Sequence, residues 1–158
     1  MASWIRMIND DDADSDLREA LDAARTPHGT VDNVMRVHSL RPHTMHGHMK
    51  LYRAVLHDEG NTLPTWLQEV IGSYVSALNK CDYSYANHWK NAAYLIGDEG
   101  RAGAIKNALQ KRCLTDAFDG AELALLQYAE TLTLTPGKMQ ETDVRALQDA
   151  GWDDGQIL

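Results

Sequence analysis

Three features of the sequence predict an all-α fold. Apolar residues recur at helical spacing along most of the chain, and no segment alternates apolar and polar residues over the length of a strand. The periodic segments are broken at glycine and proline. Each helix can then be placed in turn. Residues 11–25 (DDADSDLREALDAAR) form an acid-capped helix with Leu17, Leu21 and Ala24 on one side. A short helix covers 31–39. Pro42 stands in the first turn of the next, which runs to about residue 57 and closes at Gly60-Asn61. Pro64 starts a helix that reaches about residue 79, and a second long helix runs from Cys81 to residue 96, ended by Gly97. Helices over 98–112 and 121–134 are separated by the turn TDAFDG. Pro136-Gly137 breaks the chain before a last full helix, 141–150, closed by Gly151.

The ending is unusual. Trp152-Asp153-Asp154 looks like the cap of a further helix, yet the sequence stops about one turn later at Leu158. A helix that short is marginal alone. Either it docks on the core or on a partner chain, or further C-terminal helix has been lost. No low-complexity segment or clean internal repeat is visible, and 158 residues suit one domain, 1–158, with a core of its own.

The composition is that of an ordinary soluble globular protein, 44% apolar and 24% charged. No apolar run approaches the roughly 20 residues of a membrane span. The start, MASWIRMINDDDADSD, turns acidic at once and does not read as a secretory signal. A net charge of −8 without a Lys/Arg stripe argues against nucleic acid as a partner. Two cysteines, Cys81 and Cys113, fit free thiols in a reducing cytoplasm.

Chemistry concentrates in residues 79–91, NKCDYSYANHWKN. On a helix, Cys81, Ser84 and His88 are spaced i, i+3 and i+7 and project from one face. Cys81 falls in the first turn, where backbone N–H groups and the helix dipole favour a thiolate. His88 is placed to exchange protons with residue 84, one turn away. If the helices on either side of Lys80 pair antiparallel, Glu69 and His88 lie within a turn of each other, and a carboxylate there would orient the imidazole. Taken singly, these residues have plainer readings: a packed cysteine, a satisfied histidine, a solvated glutamate. Their joint spacing is what points to a site.

Elsewhere the signals are weaker. HTMHGH gathers His43, His46 and His48, with His38 and His57 nearby, but no cysteine or acid completes a tetrahedral set, so it reads as a polar helix face and no metal is expected. Cys113, just past Lys111 and Arg112, reads as structural. Trp4, Trp66, Trp89 and Trp152, with Tyr74, Tyr83, Tyr85 and Tyr94, read as core and interface aromatics.

The set Glu69, Cys81, position 84 and His88 resembles the glutamate–CxxC–histidine signature of alkylhydroperoxidase AhpD-like proteins, within the carboxymuconolactone decarboxylase superfamily. The resemblance is closest to its uncharacterised peroxidase-related branch and covers most of the chain. SWI near the start, VDNVMRVHSLRP, LYRAVLHDEG, VSALNKCDY and DVRALQDAGWDDGQIL all look like that branch. It implies an AhpD-like helical bundle that assembles into homo-trimers or hexamers and reduces hydroperoxides without a cofactor. It also implies an external thiol or disulfide reductase as electron donor. In that scheme the second cysteine attacks peroxide, the first resolves the sulfenic acid as a disulfide, and the glutamate and histidine relay protons. Carried onto this chain, Cys81 is the resolving position, Ser84 the attacking one, and Glu69 and His88 the relay; Tyr83 would line a pocket for an apolar hydroperoxide.

Three departures bear on activity. A serine hydroxyl cannot do thiolate chemistry or form the disulfide, Asn87 stands where the branch often has a further histidine, and similar proteins continue past Leu158 with more helix. A reduced or altered peroxidase activity is therefore expected, whether Ser84 is a natural one-cysteine arrangement that needs an external thiol or an introduced Cys-to-Ser change. The alternatives are a lactone enzyme of the decarboxylase type, against which the retained Cys81 speaks, and a non-catalytic helical assembly module.

Overall fold

Helix starts follow capping chemistry more closely than apolar periodicity. A computed structural model of the chain describes residues 3–26 and 28–158. In it the acidic run expected to open the first helix splits in two. Asp10–Asp12 make a 3-10 turn, and Asp14 caps α1 (Ser15–Ala23) by accepting the Leu17 N–H at 2.9 Å. The short helix expected over 31–39 contracts to α2 (Asn33–Arg36), followed by hydrogen-bonded turns. Pro42 opens α3 (Pro42–Leu56), where its missing N–H is no loss.

The chain divides into two compact units, Met1–Gly60 and Asn61–Leu158. In the first, Leu17, Leu21, Met35 and Met45 anchor an apolar cluster. Arg36 pairs with Asp10 and holds that carboxyl below its ordinary value by hydrogen bonding. The histidines of HTMHGH do not gather. Instead His48 Nδ1 lies 3.1 Å from His38 Nε2, and His38 Nδ1 lies 2.8 Å from Thr44 Oγ1. The single Thr44 hydroxyl hydrogen goes to the Arg41 carbonyl at 2.7 Å, so His38 donates from Nδ1 and accepts from His48 at Nε2. Burial, and then the neighbouring His48, hold the His38 imidazole below its ordinary value. Among the described residues, no group of three or more His, Cys, Asp or Glu could hold a metal ion.

The second unit contains α4 (Thr65–Leu78), α5 (Asp82–Ile96), α6 (Glu99–Lys111), α7 (Gly120–Leu134), α8 (Glu141–Asp149) and α9 (Asp154–Ile157). Pro64 caps α4, which packs on α5, α6 and α7 because it carries apolar residues on more than one side. Val70 and Tyr74 of α4 meet Ala92, Ile105, Leu109 and Leu126 in the main core. Burial and the Glu130 bond push the Tyr74 hydroxyl up to about 12, and Glu130 in turn is paired with Arg112. The short C-terminal α9 docks on its own unit. Asp153 and Gln156 form a capping box, Ile157 packs with Leu67, Leu125 and Leu147, and the Trp152 indole donates to the Ala121 carbonyl at 2.8 Å. All regular structure among the described residues is helical, and no helix there is long and apolar enough to cross a membrane.

Candidate functional site

The site is built on the turn between α4 and α5. Lys80 takes a left-handed conformation, φ 56°, and donates its N–H to the Ala77 carbonyl at 3.0 Å, while the Cys81 N–H reaches back to the Ser76 carbonyl at 2.9 Å. These two bonds make a Schellman closure of α4, and the chain leaves it reversed. Cys81 is therefore the cap of α5 and not a residue of its first turn, with φ −103° and ψ 86°. Its thiol is free and exposed.

With that turn fixed, α4 and α5 run antiparallel and their side chains meet in step outward from Lys80. Ser76 meets Ser84, with 2.8 Å between the two hydroxyl oxygens. Next, His88 Nδ1 lies 2.7 Å from Glu69 Oε2, and Asn91 Nδ2 donates to Glu69 Oε1 at 3.2 Å. Glu69 is only 3% exposed. A buried carboxylate needs such donors, and both come from α5. Since Nδ1–H donates to Glu69, the imidazole is fixed in orientation and Nε2 is its other proton-exchanging nitrogen. The His88 side chain retains 28% exposure, so it is open to solvent on one side.

Three residues that the sequence pattern did not single out complete the arrangement: Gly72, Ser76 and Asn91. Glu69, Gly72 and Ser76 are spaced i, i+3 and i+7 on α4, the same spacing as Cys81, Ser84 and His88 on the facing helix. That repeated register is the signal that could have found Gly72 and Ser76; Asn91, one turn beyond His88, lies outside it. Gly72 lies against the histidine ring, where a Cβ would stand 2.8 Å from His88 Nδ1. Ser76 also contacts the Gly72 carbonyl at 2.6 Å. Ser76 is the donor in both contacts, so its single hydrogen is shared between Ser84 Oγ and the Gly72 carbonyl.

Other candidates fall outside this cluster. Tyr83 is 45% exposed at the surface of α5. Cys113 is exposed too, directly after Arg112, which takes the same left-handed conformation as Lys80 and is paired with Glu130.

No protein-family model matches the chain, and no curated protein matches it. Solved structures do. An uncharacterized peroxidase-related protein from Silicibacter sp. TM1040 superposes with a TM-score of 0.79 at 20% identity, over 99% of this chain and 78% of that one. An uncharacterized peroxidase-related protein with an alkylhydroperoxidase AhpD core, from Ralstonia eutropha JMP134, superposes with a TM-score of 0.80 at 20% identity, over 99% of this chain and 82% of that one. At that identity the likeness is one of fold, and the chain has the all-helical fold of these peroxidase-related proteins, the second of them an AhpD core.

Proposed function

We propose that this protein is a thiol peroxidase-related enzyme in which Glu69 and His88 relay protons for hydroperoxide reduction at the turn between α4 and α5. The observation that carries the reading is the 2.7 Å bond from His88 Nδ1 to a carboxylate buried within α4. It fixes an imidazole one turn from position 84 and two turns from Cys81. The printed names of the structural neighbours, peroxidase-related and AhpD core, support the same chemistry.

With serine at position 84, the available sulfur is that of Cys81. Its thiolate would attack the terminal peroxide oxygen and become a sulfenic acid, while the alkoxide leaves and takes a proton relayed through His88. Without a second cysteine in the motif, one external thiol condenses with the sulfenic acid, releasing water and leaving a mixed disulfide. A second external thiol then releases Cys81 as the thiol. Turnover is slow compared with a two-thiol site. The same reading includes a cytoplasmic homo-oligomer, supported by exposed Leu51, Tyr94, Leu132 and Leu134. A monomeric mass by light scattering would remove that part.

The test is Ser84→Cys with a dithiol donor. Cys81 and the new thiol, i and i+3 at a helix start, suit a disulfide. The variant is expected to form one under mild oxidation and to reduce peroxide about 100-fold faster or more, on the scale of a restored nucleophile with its acid–base partner. The gain should disappear with His88→Ala or Glu69→Gln. No disulfide and no turnover would leave the fold without this function and favour the assembly module.

A further inference from the structure

We infer that Ser76 is a positioning residue for the group at position 84, its hydroxyl donating a hydrogen bond that strengthens when that group is ionised. The inference rests on the reading above that a thiol restored at position 84 by Ser84→Cys would be the nucleophile toward peroxide. Ser76 touches both ends of the motif: its carbonyl takes the Cys81 N–H at 2.9 Å and its hydroxyl meets Ser84 Oγ at 2.8 Å. At 6% exposure, it is nearly closed to competing water.

The Ser76 hydroxyl has two acceptors in reach and one hydrogen to give. While residue 84 is neutral, that hydrogen is shared between the Gly72 carbonyl at 2.6 Å and Ser84 Oγ at 2.8 Å. When residue 84 loses its proton to solvent, it becomes the stronger of the two acceptors. Ser76 then turns its O–H from Gly72 to the anion, a hydrogen rotation that moves no heavy atom. The Gly72 carbonyl is not orphaned, because it keeps the helical N–H of Ser76. A hydrogen bond to an anion is stronger than one to a neutral group, so this rotation favours the ionised form of residue 84. In the chain as it stands the serine stays neutral, and the device becomes readable once a thiol replaces it.

The test uses the full chain carrying Ser84→Cys, kept reduced with a phosphine and alkylated with iodoacetamide. Peptide-resolved mass spectrometry reports the rates at Cys81, the new thiol and Cys113 separately. Adding Ser76→Ala is expected to slow alkylation at position 84 about tenfold at neutral pH, and to move the midpoint of its pH profile up by about one unit. Cys113 should be unaffected. Ser76→Thr retains the hydroxyl and should keep most of the rate. Equal rates at position 84 with and without Ser76→Ala would overturn the inference. So would an equal loss in the alanine and threonine variants, which would mark packing and not a hydrogen bond. No peroxide enters the assay, so a failure of peroxide turnover leaves a distinct signature.

Discussion

Gly72→Ala strikes the site without altering any of its chemical groups. The added Cβ would stand 2.8 Å from His88 Nδ1, 2.9 Å from Cγ and 3.0 Å from Cε1, where ordinary contact starts at 3.4 Å. The ring must therefore retreat by the difference of 3.4 and 2.8, about 0.6 Å. It has somewhere to go, since the side chain is part-exposed. The retreat costs little sterically, but it draws Nδ1 away from Glu69 Oε2, where the bond is now 2.7 Å. Glu69 would then keep only the Asn91 amide.

Losing a hydrogen bond to a buried carboxylate costs about 1.5–3 kcal/mol. Alanine gains about 0.5–1 kcal/mol over glycine within a helix. The net loss is about 1–2 kcal/mol. A double-mutant cycle isolates the cause: with His88→Ala there is no ring to strike, so Gly72→Ala should then stabilise by about 0.5–1 kcal/mol. Equilibrium urea unfolding followed by tryptophan fluorescence suits the measurement, because Trp66, Trp89 and Trp152 all lie in the second unit while Trp4 is fully exposed. The same loss in both backgrounds would refute the reasoning, and so would a stabilising single variant.

Two further outcomes are expected. Lys80 holds a left-handed conformation that a Cβ disfavours, so Lys80→Gly should stabilise the second unit by about 0.5–1 kcal/mol after the extra unfolded-state freedom of glycine is deducted, read as a higher urea midpoint. The folded His38 resists protonation relative to its ordinary 6.5, so the unfolded chain takes the proton first and stability rises with pH in this window. The stability is complete above about 6.5 and drains as the pH falls through the lower folded value. Urea midpoints of the first unit, followed by amide hydrogen exchange, should drop between pH 7.5 and 5.5, and His38→Ala should flatten that drop.

Much of this was legible in the sequence, because the relevant physics is local. Gly97, Gly151 and Pro42 mark helix ends by their own conformational rules, and the structure puts those ends where the rules do. The facing of Glu69 and His88 follows from counting residues on either side of Lys80. What was misplaced or missed depends on partners far along the chain. The first helix starts late because Asp14 and not Asp11 supplies the capping oxygen. The histidines of HTMHGH could not be paired from their own spacing, since the partner of His48 is His38, outside α3. Gly72 and Ser76 look like ordinary small residues until α5 is laid against them.

Glu69 is the residue that a helix made only for packing would not carry. Its carboxylate sits between Gln68 and the core residue Val70 on a helix that packs against three others, and it needs two donors from α5 to be tolerated there. A leucine would fill such a place without needing partners, and would commonly be as stable or more so. Three departures from plain core packing lie along one side of α4: a buried acid at 69, a glycine inside the helix at 72, a buried hydroxyl at 76. All three face one stretch of α5, the stretch that holds Ser84 and His88. Among them the buried acid with two donors from the facing helix is the kind of local exception to good packing that functional sites carry. An assembly module has no use for a buried glutamate bonded to a part-exposed histidine. That is why the peroxidase function we propose explains more of this helix pair than the module does.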